Sequence, residues 1–355
     1  MAPDPAEITL EIRPQARLDL IDVARRIRDT CGDLLTAYPK ALYCSYHTTA
    51  GYLDQSLAAR LQHSPDRVGS FIGVFRRLFP AGADYFHDQI DLRSELSEEQ
   101  RRIEPRNADS HLAYMSAGLR SCVVYRNRPD TPVYFVDLDG VHDGEFRRRQ
   151  TTVVGFTREE RVRRVRLEIP MSAHPVDSVN LKDPRIGFFD RISELLARDG
   201  IVRGRVDIAL DPSERHAGLT VNEYETLLMK HDLAEVLRDP LRFMMEKGRH
   251  MWQDPRAIPS KTRNYAKYDL VQVVNELLDV LGASESLVEK LLARLIAVPA
   301  SRFLAMKRSV SLLVADREGS GKGSIVAGLY QSPILVQWDG APARVRTLDV
   351  SLTRI

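Results

Sequence analysis

The sequence predicts an α+β fold that occurs twice along the chain. Its 355 residues suggest two domains, at roughly 150 residues for a domain. Hydrophobic residues make up 43% and charged residues 28% of the chain, an ordinary globular composition that argues against wholesale disorder, collagen and coiled coil. In each half, strand patterns flank helical patterns, an arrangement typical of α+β proteins.

The first half predicts a sheet with helices inserted between its strands. Alternation of apolar and polar residues predicts a strand over residues 8–12, and helical spacing predicts amphipathic helices over 18–35 and 68–78. The remaining strands are predicted at 41–46, 119–125, 133–138 and 147–156.

The second half begins again with the same kind of strand, at 165–169, followed by a helix at 187–196 and a strand at 206–210. Two long helical stretches are predicted at 223–251 and 270–296. The end of the chain is rich in predicted strands, at 310–315, 325–330, 334–338 and 345–352.

Short sequence matches recur in the same order in both halves. The number of residues between a match and its counterpart increases steadily along the chain. The matches are Leu10-Glu11-Ile12 with Leu167-Glu168-Ile169, Ala50-Gly51 with Ala217-Gly218, Asp84-Tyr85 with Asn264-Tyr265, Ser110-His111 with Ser301-Arg302, and Asp139-Gly140 with Asp339-Gly340. Insertions into the second copy of a tandem duplication would produce this order. We therefore predict one domain over 1–157 and a diverged second over 158–355. Two unrelated α+β domains with chance matches are the alternative.

Each half carries a series of short motifs. The first half carries Tyr46-His47-Thr48-Thr49-Ala50-Gly51, Tyr85-Phe86-His87-Asp88, Asn107-Ala108-Asp109-Ser110-His111-Leu112, Asp139-Gly140 and Arg147-Arg148-Arg149. The second half carries Ala217-Gly218-Leu219-Thr220-Val221-Asn222-Glu223, Gly328-Leu329-Tyr330-Gln331 and Asp339-Gly340. In this order the motifs resemble the YjbQ-like family, small single-domain proteins sometimes labelled secondary thiamine-phosphate synthase. The resemblance implies, for each half, a compact α+β domain around a mixed, barrel-like or sandwich-like sheet, and assembly into trimers.

The two halves depart from the family pattern in complementary ways. The first half lacks the family's Asn-Glu and Gly-Thr-Trp-Gln, and its late Glu is Asp137. In the second half the three histidine positions become Glu214, Lys267 and Arg302, and the late Glu becomes Gln337. The pattern predicts a composite site, in which one copy supplies histidines and the other supplies Asn, Glu and Gln. Independent drift of a degenerate second copy, with Glu214, Lys267 and Arg302 forming ion pairs, would give the same pattern.

Three histidines on different segments are the predicted catalytic group: His47, His87 and His111. If the fold brings them together, they either hold a divalent metal such as zinc with an open position for water, or act as general acid and base. The alternative is three separate histidines that satisfy backbone groups. Candidate substrate-binding residues are Asn107, Asp109, Arg147, Arg149, Asn222, Glu223 and Gln331. Asn107 and Asp109 could equally cap a helix, and Asn222-Glu223 could equally start one.

Two further signals are weak. The segment from Glu318 to Ser324 resembles a phosphate-binding loop but misses the required spacing and lies between strands, so a hairpin turn is the better interpretation. Cys44 precedes His47 by three residues, which suggests a cysteine nucleophile paired with a histidine. On a strand, however, this spacing places the two side chains on opposite faces, which argues against such a pair.

Composition and charge indicate which classes of partner and which cellular compartment to expect. The net charge is +2, which disfavours a nucleic-acid binder, and no long apolar run predicts a membrane helix. Three cysteines without paired spacing, and an N-terminus unlike a signal peptide, predict a cytoplasmic setting. We expect an enzyme that forms a homo-oligomer, with a trimer favoured, and that acts on a small, anionic metabolite by hydrolysis, elimination or group transfer. A non-catalytic assembly or regulatory module is the alternative.

Overall fold

A computed structural model describes residues 3–83, 85–93, 97–128, 130–142, 144–172, 177–223, 306–337 and 339–355. The helices predicted at 223–251 and 270–296 lie outside these ranges apart from the first residue of the former. Lys267 and Arg302 lie outside them as well.

The strands of the first half form two main sheets and a small hairpin. They are β1 (Ala6–Ile12), β2 (Asp19–Asp22), β3 (Lys40–Ser45), β4 (Ala50–Tyr52), β5 (Cys122–Arg126), β6 (Tyr134–Asp137), β7 (Val141–His142), β8 (Glu145–Phe146) and β9 (Arg149–Phe156). The larger sheet has the order β1-β9-β3-β5 and the smaller has the order β2-β6-β4, while β7 pairs with β8.

The strands of the second half also form a larger and a smaller sheet. They are β10 (Glu160–Pro170), β11 (Asp177–Asn180), β12 (Gly204–Leu210), β13 (Ala217–Asn222), β14 (Ser309–Ala315), β15 (Ser324–Val326), β16 (Ser332–Gln337) and β17 (Val345–Arg354). The larger sheet has the order β10-β17-β12-β14-β15 and the smaller has the order β11-β16-β13.

The two halves share one strand order. In each larger sheet the first strand of the half pairs with its last strand, which is followed in turn by two middle strands; β15 is an addition at the edge of the second. Each smaller sheet also has one order, with the later strand in the centre. The common order is what a duplication predicts. All strand pairings among the described residues are antiparallel. The resemblance implied mixed sheets, and for these strands that expectation is wrong.

The described helices are short. They are α1 (Val23–Cys31), α2 (Gln55–Arg60), α3 (Pro65–Leu78), α4 (Glu98–Ile103), α5 (Ala108–Ser116) and α6 (Phe188–Arg198), with single 3₁₀ turns such as Phe86–Asp88. The helix predicted over 18–35 is shorter than expected. The Asp22 side chain accepts a hydrogen bond from the Arg25 amide and so starts α1, and Gly32, with a φ of 61°, ends it.

The larger sheets of the two halves pack against each other through an apolar layer. Leu42 and Cys44 of β3, Val154 of β9, and Leu313 and Ala315 of β14 are all buried in it. A second core lies around β12 and β17, where α6 covers the sheet. The burial of apolar residues from both halves in one layer stabilises the contact between the two sheets.

The chain divides into two compact units that do not coincide with its two halves. The sheet unit, as we name it, contains Met1–Ser56, Leu119–Tyr224 and Lys307–Ile355. The helical unit includes Leu57–Gly118, which contributes α3, α4 and α5. The sheet unit therefore combines the strands of both halves, and each unit is described below by itself.

Candidate functional site

Two buried histidines meet inside the helical unit. His87 lies on the turn Phe86–Asp88, and His111 lies on α5. Both side chains are buried, and their ring centroids are 5.1 Å apart. One nitrogen of each ring lies within 4.8 Å of a nitrogen of the other, so the pair could contribute two ligands to a metal ion.

Asp88 fixes the orientation of the His87 ring. Its Oδ1 lies 2.8 Å from His87 Nδ1 and also accepts a hydrogen bond of 3.0 Å from the Ala108 amide at the start of α5. A ring that donates from Nδ1 carries its lone pair on Nε2, the nitrogen that can bind a metal or accept a proton. Asp88 belongs to the sequence motif but was not among the predicted site residues. Its position directly after His87 in the sequence could have indicated this role.

The residues before His111 start the helix that carries it. Asn107 occupies the N-cap position of α5, and its backbone carbonyl accepts hydrogen bonds from the Ser110 and His111 amides. Every residue of α5 is buried, including Asp109. The backbone geometry therefore agrees with the helix-start alternative for Asn107, and substrate binding by Asn107 or Asp109 stays a prediction.

His47 belongs to the sheet unit and is bonded to the sheet itself. Its Nε2 accepts a hydrogen bond of 2.8 Å from the Gln150 amide, and its ring lies edge-on to Phe135. Burial, followed by the charges of Arg149 and Arg147, lowers the pKa of His47 to about 3. The ring is therefore neutral at physiological pH, and its lone-pair nitrogen is engaged by the backbone.

Glu214 plays the same part in the second half. Its Oε1 accepts a hydrogen bond of 2.7 Å from the Thr347 amide, and Thr347 lies on β17 as Gln150 lies on β9. Glu214 also forms an ion pair of 2.8 Å with Arg346. The sequence predicted that Glu214 takes the position of His47, and the two side chains accept from corresponding strands. A shared role as backbone acceptor favours a structural function for His47.

Arg149 holds the loop that carries Asp139. Its guanidinium donates to both carboxylate oxygens of Asp137, at 2.7 and 2.8 Å, and to the backbone carbonyl of Asp139, at 2.8 Å. Arg147 pairs with the Asp139 carboxylate and keeps 31% of its side chain exposed. These internal contacts occupy much of the Arg149 guanidinium, so only Arg147 of this pair retains substantial solvent access.

The second half repeats this arrangement with one exchange. Arg346 donates to the backbone carbonyl of Asp339 at 2.6 Å and to Gln337 Oε1 at 3.3 Å. An amide thus stands where Asp137 stands in the first half, and Glu214 supplies the carboxylate. The exchange keeps a buried arginine paired, because an unpaired buried charge would be strongly destabilising.

Gln331 of the second half is bonded to the strand that leads to His47. It is buried, and its Nε2 donates to the backbone carbonyls of Ser45 and His47, at 3.0 and 2.9 Å. Its Oε1 accepts a hydrogen bond of 3.0 Å from the Gly328 amide. A side chain of the second half therefore orders the His47 segment of the first half, within the sheet unit.

The close contact between the Gly328–Gln331 segment and the His47 segment requires glycine at position 328. A Cβ at this position would lie 1.9 Å from the backbone oxygen of Tyr46, so only glycine allows the two segments to approach. This close approach accounts for the glycine of the Gly-x-x-Gln pattern in physical terms.

The predicted Asn222-Glu223 pair ends a strand. Asn222 is fully buried at the end of β13, opposite Ser332 of β16, and its Oδ1 accepts a hydrogen bond of 2.8 Å from the Glu223 amide. Substrate binding by either residue stays a prediction.

The phosphate-loop-like segment is a hairpin turn between β14 and β15, as the sequence indicated. The Asp316 carboxylate accepts hydrogen bonds from the Ser320 and Gly321 amides, at 3.0 and 2.7 Å. These backbone hydrogen bonds outweigh burial and lower the pKa of Asp316. The loop thus directs amides to an internal carboxylate.

His142, a further histidine outside the sequence motifs, lies beside the loop held by Arg149. Its Nδ1 is 3.4 Å from Asp139 Oδ1. It lies two residues after Gly140, in the short hairpin of β7 and β8. Its closeness to the Asp139-Gly140 motif in the sequence could have indicated this position.

Comparisons with solved structures find YjbQ-like neighbours. A YbjQ-like protein of unknown function from Sulfolobus solfataricus P2 is 17% identical, with a TM-score of 0.29, and the match covers 56% of this chain and 100% of the other. A hypothetical protein from Aeropyrum pernix K1 is 16% identical, with a TM-score of 0.28, over 54% and 97%. An uncharacterised conserved protein of the yjbq/upf0047 family from Clostridium acetobutylicum is 11% identical, with a TM-score of 0.28, over 53% and 98%. None of these three names states an activity.

No protein-family model matches the sequence, and no curated protein matches it significantly. Within the described ranges, no helix is long and apolar enough to cross a membrane.

Proposed function

We propose that this protein is an enzyme in which His87 and His111 hold a divalent metal ion, such as zinc, for chemistry on a small anionic metabolite. The observation that carries the proposal is the buried pair of imidazoles, one of them oriented by a carboxylate. Metal-bound histidines commonly donate their second ring nitrogen to such a carboxylate. Hydrolysis, elimination and group transfer are all compatible with this site.

The residues fit a metal in their donor chemistry. A bound divalent ion would supply a Lewis acid and lower the pKa of a coordinated water. His87 would bind through Nε2, because its Nδ1 faces Asp88. Asp88 would hold the ring in place, and His111 would supply the second nitrogen from a buried helix. Two imidazoles leave positions for further ligands and for substrate.

The anionic substrate class is inferred from the basic segment before β9. Arg147 is partly exposed there, while Arg149 is held inside the protein. Guanidinium groups bind carboxylates and phosphates through paired hydrogen bonds, which suits an anionic metabolite.

The test is a zinc titration of the metal-free full-length chain by isothermal calorimetry. We expect one saturable site, and a loss of affinity of about tenfold or more in His87→Asn and in His111→Asn. Asp88→Asn, which alters a positioning residue, should weaken binding about 10- to 100-fold while both histidines remain. His216→Asn is the matched control, since His216 is exposed and has a φ of 57° that asparagine tolerates.

The titration tests the proposed metal centre. Zinc binding that is equally strong in His87→Asn, His111→Asn and His216→Asn would contradict this centre. Protein that binds no divalent metal would contradict it as well, and would leave histidine acid–base chemistry and the non-catalytic module as the alternatives. Glu223→Gln tests the sequence-based prediction for Glu223 in the same titration.

A further inference from the structure

A cavity in the sheet unit lies where strands of the two halves meet. Its volume is about 330 Å³, and it is lined by Thr9, Tyr46, Gln150, Arg317, Val326 and Gly328. Small-molecule sites begin at about this size.

Arg317 is the cationic group of this cavity, and three contacts hold it in place. Its guanidinium pairs with Glu7 at 2.6 Å and donates to the hydroxyls of Tyr46 and Thr152, at 3.1 and 3.3 Å. The side chain is nevertheless 41% exposed. A guanidinium that is oriented in advance and still open to solvent can bind an anion with little loss of side-chain entropy.

Arg317 shares its carboxylate partner with a second arginine. Glu7 pairs with Arg317 and lies 3.8 Å from the guanidinium of Arg203 as well. One carboxylate thus faces two guanidinium groups. Glu7 also competes with any ligand for the Arg317 guanidinium.

The other groups of the cavity are neutral. Burial raises the pKa of Tyr46 to about 12, so its hydroxyl keeps its proton. Thr9 and Thr152 hydroxyls are 2.9 Å apart and hydrogen-bonded, while Val326 adds an apolar wall. The lining therefore combines one cation, hydroxyl groups and an apolar patch.

We propose that this cavity binds a small organic oxyanion, a carboxylate or a phosphate monoester, with Arg317 as the residue that recognises its charge. The site is separate in sequence and chemistry from the histidine pair, so it stands whether or not those histidines bind metal. Its apolar wall would accept the carbon chain of the ligand.

The test is a calorimetric titration of the full-length chain with inorganic phosphate, with butyrate and with the neutral butyramide. We expect saturable binding of at least one anion and none of butyramide, and the preferred anion distinguishes phosphate from carboxylate recognition. Arg317→Met should weaken binding about tenfold or more. Arg185→Met is the matched control, because Arg185 is exposed and pairs with the neighbouring Asp183.

Glu7→Gln gives a result that a purely structural role for Arg317 would not produce. Removing the competing carboxylate should tighten anion binding about tenfold, whereas loss of a structural ion pair would not improve it. The same titration of His87→Asn should match the wild type, which keeps this proposal separate from the metal site. Equal affinity in wild type, Arg317→Met and Glu7→Gln, or binding of neither anion, would overturn the proposal.

Discussion

Replacement of Gln331 by leucine tests how strongly the second half supports the first. Leucine keeps much of the volume but removes the amide that donates to the Ser45 and His47 carbonyls and accepts from the Gly328 amide. Ser45 is buried, so its unpaired carbonyl should cost about 2 kcal/mol. The His47 carbonyl and the Gly328 amide are only partly buried. They can regain hydrogen bonds to water, so the loss at each adds about 0.5 kcal/mol. We therefore expect a loss of about 3 kcal/mol.

The assay is urea unfolding of the full-length chain, with the thermal midpoint as a second measurement. A loss of this size should lower the midpoint by about 6–12 °C for a domain of this size. Gln150→Leu is the matched control, because the Gln150 side chain is exposed and the contact with His47 comes from its backbone. A Gln331→Leu protein as stable as the control, within about 0.5 kcal/mol, would show that the Gln331 amide does not stabilise the first half.

Three further predictions concern glycine, histidine and lysine. Gly328→Ala should destabilise the chain by about 2 kcal/mol or more in urea unfolding, because its Cβ would meet a backbone oxygen. A Cβ at Gly340 meets nothing within 4 Å, and equal losses in Gly328→Ala and Gly340→Ala would contradict this. The low pKa of His47, about 3 against 6.5, should make stability fall as the pH falls below 6.5, by up to about 2 kcal/mol at pH 5. A His47→Gln profile with the same slope would count against it. Burial lowers the pKa of Lys307 from the ordinary lysine value of 10.5 to about 8, so its acylation rate should reach half its maximum near pH 8. A half-maximum near pH 10.5 would contradict the burial effect.

The sheets could be predicted from the sequence because their signals are local. Alternation of apolar residues placed β1, β12 and β14 within a few residues of their observed bounds. The helix predicted over 18–35 was too long, since periodicity alone does not show that Asp22 starts the helix and that 19–22 pairs with β6. The antiparallel pairing was not predictable from periodicity, because it depends on contacts between distant strands.

The histidine pair could be predicted in part. Its members were identified from motifs, but no local pattern shows that the His87 and His111 rings approach each other, since they come from separate segments. His47 was grouped with them by motif, although its own chemistry is set by a strand about one hundred residues away, whose amide occupies the ring nitrogen. Similarly, the correspondence of Glu214 with His47 could be proposed from the repeat, but their common backbone role required the structure.

Anomalous scattering from a crystal of the protein soaked with zinc is the direct test of the proposed metal centre. We predict a zinc peak at about 2.0–2.1 Å from one nitrogen each of His87 and His111, with His87 binding through Nε2 while Nδ1 faces Asp88. A difference map without a peak at this pair, or with zinc bound only elsewhere, would contradict the proposed metal centre.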